Sequence, residues 1–334
     1  MRITPLRRRD ILTLAGVAAT AWLLAGPVQQ AERTRHIGVL MSLVEDDPQG
    51  HAQVSTFRQA LQDRGWTEGR NLRMDVRWGG GDAERNRRFA AELVALDPDI
   101  ILAGSGQVVA ALQKATRTVP IVFTVAIDPV ALGFVESLSR PGGNTTGFLN
   151  IEYSFSGKWL ELLRQIAPSV TRVAVLRDPT VPSGDAQLAA IRSAALEFGV
   201  ELSPVDVRDR EKMEHALTAF VGEGNGGLIV TMSTFANSHR DLIVALAARN
   251  RLPAVYPNPL YVTDGGLVSY GPVFLDQFSR AAEYVDRILK GANPGDLPVQ
   301  APVRFEIALN LKTAKALGLD VPRIVLSRAD HVFD

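Results

Sequence analysis

The side chains able to do chemistry in this chain are five histidines and a handful of carboxylate, hydroxyl and aromatic clusters; there is no cysteine. His36, His51, His215, His239 and His331 are scattered, with no His-Glu-x-x-His to set two imidazoles on one helix face around zinc. A Gly-x-Ser-x-Gly nucleophile elbow and a P-loop are both absent. His239, beside Arg240 and Asp241 at a helix start, reads as a surface residue. Glu45-Asp46-Asp47 lacks the spaced oxygen ligands and glycine of a calcium loop and reads as a solvated loop. Without cysteine there are no disulfides, thiolate metal sites or cysteine nucleophiles. The residues predict no catalysis, no metal and no cofactor.

What remains is suited to binding. Gly104-Ser105-Gly106 stands between a strand and a helix, where small residues and a hydroxyl leave backbone N–H groups open to a carboxylate. Only two of the glycines of a dinucleotide fingerprint are present, and at the third βα unit instead of the first. Asp128-Pro129 follows the next strand; its carboxylate can receive an amine or cap the following helix. Three more clusters fall at later strand ends: Ser233-Thr234-Phe235, Tyr256-Pro257-Asn258 and Ser269-Tyr270-Gly271. Ser42, directly after the first strand, and Asn150, in a glycine-containing junction, join them. The candidate ligand-binding set is Ser42, Ser105, Gly106, Asp128, Asn150, Ser233, Thr234, Tyr256, Asn258 and Tyr270.

The elements that must position these residues read as two copies of one pattern. Short apolar runs alternate with helical patterns about every 25 residues, as in βα units. Ile37–Met41, Leu72–Trp78, Asp99–Ala103 and Pro120–Thr124 are the strands of the first copy. Arg172–Leu176, Glu201–Val207, Gly227–Thr231 and Pro253–Tyr256 are those of the second. Runs apolar on both faces suit parallel sheets covered by helices on each side. The spacing therefore predicts an α/β protein of two doubly wound lobes, with ligand loops at the carboxyl ends of the strands. Gly266–Tyr270, the helix Phe274–Leu289 and the strand Val303–Ala308 form a tail too small for a third domain. It is expected to cross back and complete the first lobe. The predicted division is residues 36–147 plus about 271–334 for lobe 1 and 148–270 for lobe 2. The hinge is expected near Gly147–Asn150, Pro257–Thr263 and Ser269–Pro272.

Residues 1–31 read as an export signal. Arg8-Arg9-Asp10-Ile11-Leu12 before the mostly apolar run Leu14–Ala25 resembles a twin-arginine address, read by the export machinery. An ordinary secretory signal is the alternative. Cleavage is expected near Ala31. The segment also holds four arginines against one acid, so the formal net charge of zero becomes a slight acidic excess once it is removed. That is the wrong sign for nucleic acid as a partner. Lack of a lipid-anchoring cysteine predicts a free protein held in a periplasm.

Several segments together resemble a known family. They are Phe57-Arg58-Gln59-Ala60-Leu61 with Gly65-Trp66-Thr67-Glu68-Gly69, Pro120-Ile121-Val122-Phe123 with Asp128-Pro129-Val130, and Leu138 to Gly147. Gly265 to Gly271 and Asn310 to Leu319 complete the set. The chain resembles ABC-transporter substrate-binding proteins of the tryptophan/tyrosine-import type, from the signal to nearly the last residue. The resemblance implies a type I periplasmic binding fold, a small-molecule ligand in the cleft between the lobes, and ABC permease subunits as partners. It implies no enzyme activity. Two departures bear on the ligand. Ser105-Gly106 stands where relatives commonly carry threonine-proline, and Ser233 stands where many carry an acid. Without that acid an amino acid or a small aromatic or aliphatic carboxylate fits equally. A nucleotide-dependent oxidoreductase of Rossmann-like fold and a ligand-sensing module are the competing readings. The first needs an acid–base pair and a complete cofactor loop; the second needs a fused helix-turn-helix or membrane segment.

Overall fold

Alternating side chains explain why the strands form where the apolar runs lie. In the computed structural model, which describes residues 34–334 apart from Ile151, Val181 and Glu223, each sheet is packed by helices on both faces. The export segment lies outside the described residues. The first sheet holds five parallel strands: β1 (Arg35–Met41), β2 (Leu72–Trp78), β3 (Ile100–Ala103), β4 (Ile121–Ala126) and β5 (Thr145–Leu149), ordered β2-β1-β3-β4-β5. Ile37, Val39, Ile100, Leu102 and Val122 point to one face; Leu40, Ile101, Ala103, Ile121 and Phe123 point to the other. Helices α2 (Ala83–Ala95) and α3 (Gly106–Ala115) cover the second face through Leu93, Val108 and Leu112.

Helix α1 (Pro48–Gln62) covers the first face with Val54, Phe57 and Leu61. It starts earlier than its apolar periodicity suggests because Asp47 caps it, accepting from the Gln49 and Gly50 N–H groups. The last residue of the acidic run is thus a structural cap.

The second sheet repeats the arrangement. Its first four strands are β6 (Arg172–Arg177), β7 (Glu201–Asp206), β8 (Gly226–Val230) and β9 (Ala254–Tyr256). Val173, Val175 and Ile229 pack beneath α4 (Gly157–Ile166) and α5 (Pro182–Phe198). Ala174, Leu176, Leu228 and Val230 pack against α6 (Arg210–Val221) and, past the short α7 (Thr234–Ser238), α8 (Arg240–Arg249).

The tail does not return wholly to the first lobe. After α9 (Leu260–Thr263), β10 (Val268–Pro272) pairs parallel with β9. The chain then crosses to α10 (Phe274–Leu289), whose Phe278, Ala281 and Val285 join α1 in the first lobe's core. Residues 297–301 follow the edge of β5: Gln300 N–H donates to Gly147, and Leu149 N–H donates to Gln300. It crosses again into β11 (Phe305–Asn310), antiparallel to β10 with Pro272 opposite Phe305. The short α11 (Leu311–Ala316) and α12 (Arg323–Leu326) lead to β12 (His331–Phe333), parallel to β11. The second sheet has seven strands, β12-β11-β10-β9-β8-β6-β7. The expectation that 271–334 complete lobe 1 is corrected: 274–301 do so, whereas Ile307, Leu309, Ala314 and Val325 bury in the second lobe's core.

Three crossovers join the lobes, after Asn150, at Val273 and at 302–304. Pro257–Thr263, expected as a hinge, is internal to lobe 2: Asn258 Oδ1 accepts from Leu260 N–H in a local turn that leads into α9. The first crossover leaves the end of β5, the second leaves the end of β10, and the third enters β11 opposite that end of β10. The parallel strands of both sheets therefore point their carboxyl ends toward the junction.

Candidate functional site

The first lobe's carboxyl edge is built from loops that hold one another. Gly79 N–H donates to Met41 O at 2.8 Å and Gly81 N–H to Ser42 O at 2.7 Å, so the Ser42 carbonyl is committed to the β1–β2 loop pair. At the end of β3, a Cβ on Gly104 would lie 2.8 Å from Met41 Sδ and 3.3 Å from its Cα. Only glycine lets the turn press so close. Ser105 follows with extended backbone and Gly106 opens α3. The Ser105 hydroxyl makes no cap bond; its oxygen is buried and without a partner among the described residues.

At the end of β4 and just past it two non-glycine residues take left-handed backbone, Val125 with φ 53° and Asp128 with φ 46°. A bulge lies in the β4–β5 pairing here. Asp128 Oδ1 accepts from Ala131 N–H at 3.0 Å and so closes a turn; no helix follows it, which corrects the helix-capping alternative. Asn150 is 6% exposed; its N–H donates to Ala126 O, while its Oδ1 is buried and unpartnered. Tyr153, at the start of the 3-10 turn Tyr153–Ser156, brings a buried, unpartnered hydroxyl to the same place. Burial, aided by the Asp128 charge, pushes the Tyr153 phenol up to about 12. Ser105, Asn150 and Tyr153 together line this edge with oxygens left unsatisfied by the protein.

The second lobe sorts its candidates differently. Ser233 caps α7 by accepting from Ala236 N–H at 3.0 Å, and Thr234 is the helix's first residue. Asn258 spends both ends of its amide, on Asn237 Oδ1 and on Leu260 N–H. Tyr256 is 1% exposed and stacks on Tyr261, ring centroids 4.9 Å apart. Its side chain belongs to the helix-covered core, and burial raises its phenol above the ordinary value. The expectation that Tyr256 faces the cleft is corrected: the β-strand alternation that aims Val255 at one face aims Tyr256 at the other. Tyr270 gathers with Phe155 and Phe305, centroids 5.4 and 5.6 Å away, and its backbone oxygen accepts from Trp159 Nε1 at 2.7 Å. These aromatics lie on the lobe-2 ends of all three crossovers.

A second charged cluster stands at the ends of β6, β7 and β8. Asp178 is 2% exposed and takes Arg208 Nε on both oxygens, at 2.9 and 3.1 Å; Thr180 donates to it as well. Burial alone would raise its carboxyl, but hydrogen bonds from Arg208 and Thr180 hold it below the ordinary value. The Arg208 guanidinium lies 5.4 Å from the Phe235 ring centre, and Phe235 stacks on His239 at 4.1 Å. Sequence reading missed Arg208, Asp178, Tyr153 and Phe155. The signal available was an aspartate just past one strand and an arginine just past the next.

Comparison with known proteins fits this geometry. Residues 36–333 match the family described as ABC transporter substrate binding protein. A tyrosine-binding protein of Clostridioides difficile (strain R20291) is 26% identical over 289 residues, 86% of this chain and 82% of that protein. The ligand-free, open structure of a Clostridium difficile substrate-binding protein with adhesive properties covers 90% of this chain and 99% of its own, at 25% identity and TM-score 0.76. An ABC domain from Streptococcus pneumoniae in complex with L-Trp shares the fold at 22% identity and TM-score 0.77, over 90% of this chain and all of that one. Two parallel-sheet lobes joined by three crossovers are the architecture of type I periplasmic binding proteins, and the chain belongs to the family of ABC transporter substrate-binding proteins.

Proposed function

We propose that this protein captures an amino acid or a small aromatic or aliphatic carboxylate between the carboxyl edges of its two sheets and delivers it to an ABC permease. The family is one of solute binders, not enzymes. The observation that carries the reading is the Ser105 hydroxyl, buried, unpartnered and unused as a cap at the start of α3. A carboxylate there receives the hydroxyl and the helix's first N–H groups. Asn150 Oδ1 and the Tyr153 hydroxyl are two further unsatisfied oxygens, near the first crossover. Tyrosine recognition by the Clostridioides difficile relative supports an aromatic amino acid among the ligands to try first.

Export through the twin-arginine machinery, release into the periplasm without a lipid anchor and docking on permease subunits belong to the same proposal. Among the described residues no helix is long and apolar enough to cross a membrane.

Calorimetric titration of the mature protein with amino acids and small aromatic and aliphatic acids tests the reading. At least one binds, and Ser105→Ala weakens it by roughly 1.5–3 kcal/mol, the scale of a hydrogen bond to a charged group. Asp128→Asn weakens an amine-bearing ligand by a similar amount and leaves its deaminated analogue unchanged. Binding of no member of the panel would overturn the proposal.

A further inference from the structure

The Asp178–Arg208–Phe235 cluster lies at the second lobe's carboxyl edge. Three successive carboxyl-edge loops of the second lobe converge on one guanidinium: Asp178 after β6, Arg208 after β7 and Phe235 after β8. Only Nε of Arg208 is spent on the carboxylate. Neither Nη makes a hydrogen bond to a described residue, and the side chain is 46% exposed. Asp206, the nearby acid, is occupied by the Arg208 backbone N–H. Asp178 on one side and the aromatic ring on the other hold the guanidinium plane, so its outer edge is a preorganised fork of N–H donors. Such a fork matches a planar oxyanion; a point charge alone would need no such support.

Among the described residues, the other candidates named for this edge are already engaged. Ser233 is spent on a helix cap, Asn258 on Asn237 and a local turn, Tyr256 is in the core, and the Asp178 carboxylate is covered by its own partners. An ammonium finds no free acid among these residues. We propose that Arg208 binds ligand and selects for a carboxylate on the end facing the second lobe. This rests on the cleft reading, in which Ser105 seats a carboxylate from the first lobe. A ligand that engages both seats is a diacid, aliphatic, aromatic or amino-bearing, with an acid group at each end. Asp178 is the positioning residue: it fixes the guanidinium and does not touch the ligand.

The test pairs each diacid with its half-amide, which keeps shape and removes one charge: succinate with succinamate, terephthalate with its monoamide, L-glutamate with L-glutamine. Monoacids and amino acids are titrated alongside. The expected result is that a diacid binds the wild-type protein at least about tenfold tighter than its half-amide, a gap of about 1.4 kcal/mol. In Arg208→Gln that ratio collapses while the half-amide's own affinity is kept. Because Arg208→Gln strands a buried carboxylate, the double variant Asp178→Asn/Arg208→Gln supplies a neutral hydrogen-bonding pair, with folding checked by circular dichroism. Binding of monoacids or amino acids alone, or a diacid preference that survives in either variant, overturns the assignment of Arg208 and leaves the cleft reading standing. Binding of nothing in the panel overturns the cleft reading, and this inference with it.

Discussion

Gln277 Oε1 accepts a hydrogen bond from the backbone N–H of Val125 at 3.1 Å. The contact ties the bulge at the end of β4 to the first turn of α10, just past the second crossover. Val125 is β-branched and held at φ 53°, a conformation that costs of the order of 1–3 kcal/mol and persists only where neighbours enforce it. Gln277, 1% exposed, is such a neighbour.

Replacing Gln277 with leucine leaves the Val125 N–H without its acceptor in a place that water reaches poorly. Stability should fall by roughly 1–3 kcal/mol, measured by urea unfolding. An unchanged midpoint and slope would show that the bulge does not depend on this bond.

Tyr153 makes the fold sensitive to alkali. Its phenol is raised from 10.0 to about 12, so the folded state holds the proton more tightly than the unfolded one. The associated stability is complete below pH 10.0 and is lost as pH climbs through about 12. Tyr256 and Tyr261 are raised too, so the measurement is the difference between wild type and Tyr153→Phe. Wild type should lose stability relative to Tyr153→Phe across this window. Asp128→Asn should move the Tyr153 phenolate transition to lower pH, because a nearby negative charge is gone; burial keeps it above the ordinary value.

Ligand that touches both carboxyl edges stabilises the shut arrangement, so saturation should shift the protein toward it. With three short crossovers, the lobes should rotate as rigid bodies while the chain after Asn150, Val273 and residues 302–304 absorb the change. Small-angle scattering with a tightly bound ligand should show a smaller radius of gyration than without it. An identical radius would point to a rigid, preformed pocket.

Replacing both Arg8 and Arg9 with lysine should strand the precursor in the cytoplasm, since the twin-arginine route reads those two side chains as an address. Cell fractionation reports it directly. Normal periplasmic accumulation would assign export to the general secretory route.

How much of this could be read in the sequence depends on how local each feature is. Ile37–Met41 and Gly227–Val230 are apolar on consecutive residues because both faces of a parallel sheet are buried, a property visible without coordinates. The two-lobed α/β architecture follows from that pattern repeated, and the Ser105 turn from its place between a strand and a helix. Pairing is a different matter. Val303–Ala308 reads as a strand whichever sheet it joins, and only the antiparallel register of Pro272 with Phe305 put it in the second lobe. Side-chain bookkeeping at the rim is equally non-local. Ser233, Asn258 and Tyr256 stand at strand ends as a ligand-binding set would, yet one is spent on a helix cap, one on a local turn and one on the core. Arg208 and Asp178 lie 30 residues apart and mean nothing singly. The chain's own pattern determined which segments are strands and where ligand loops begin; the tertiary structure decided which polar groups were left free, because a hydrogen-bond partner supplied from a distant segment leaves no periodicity behind.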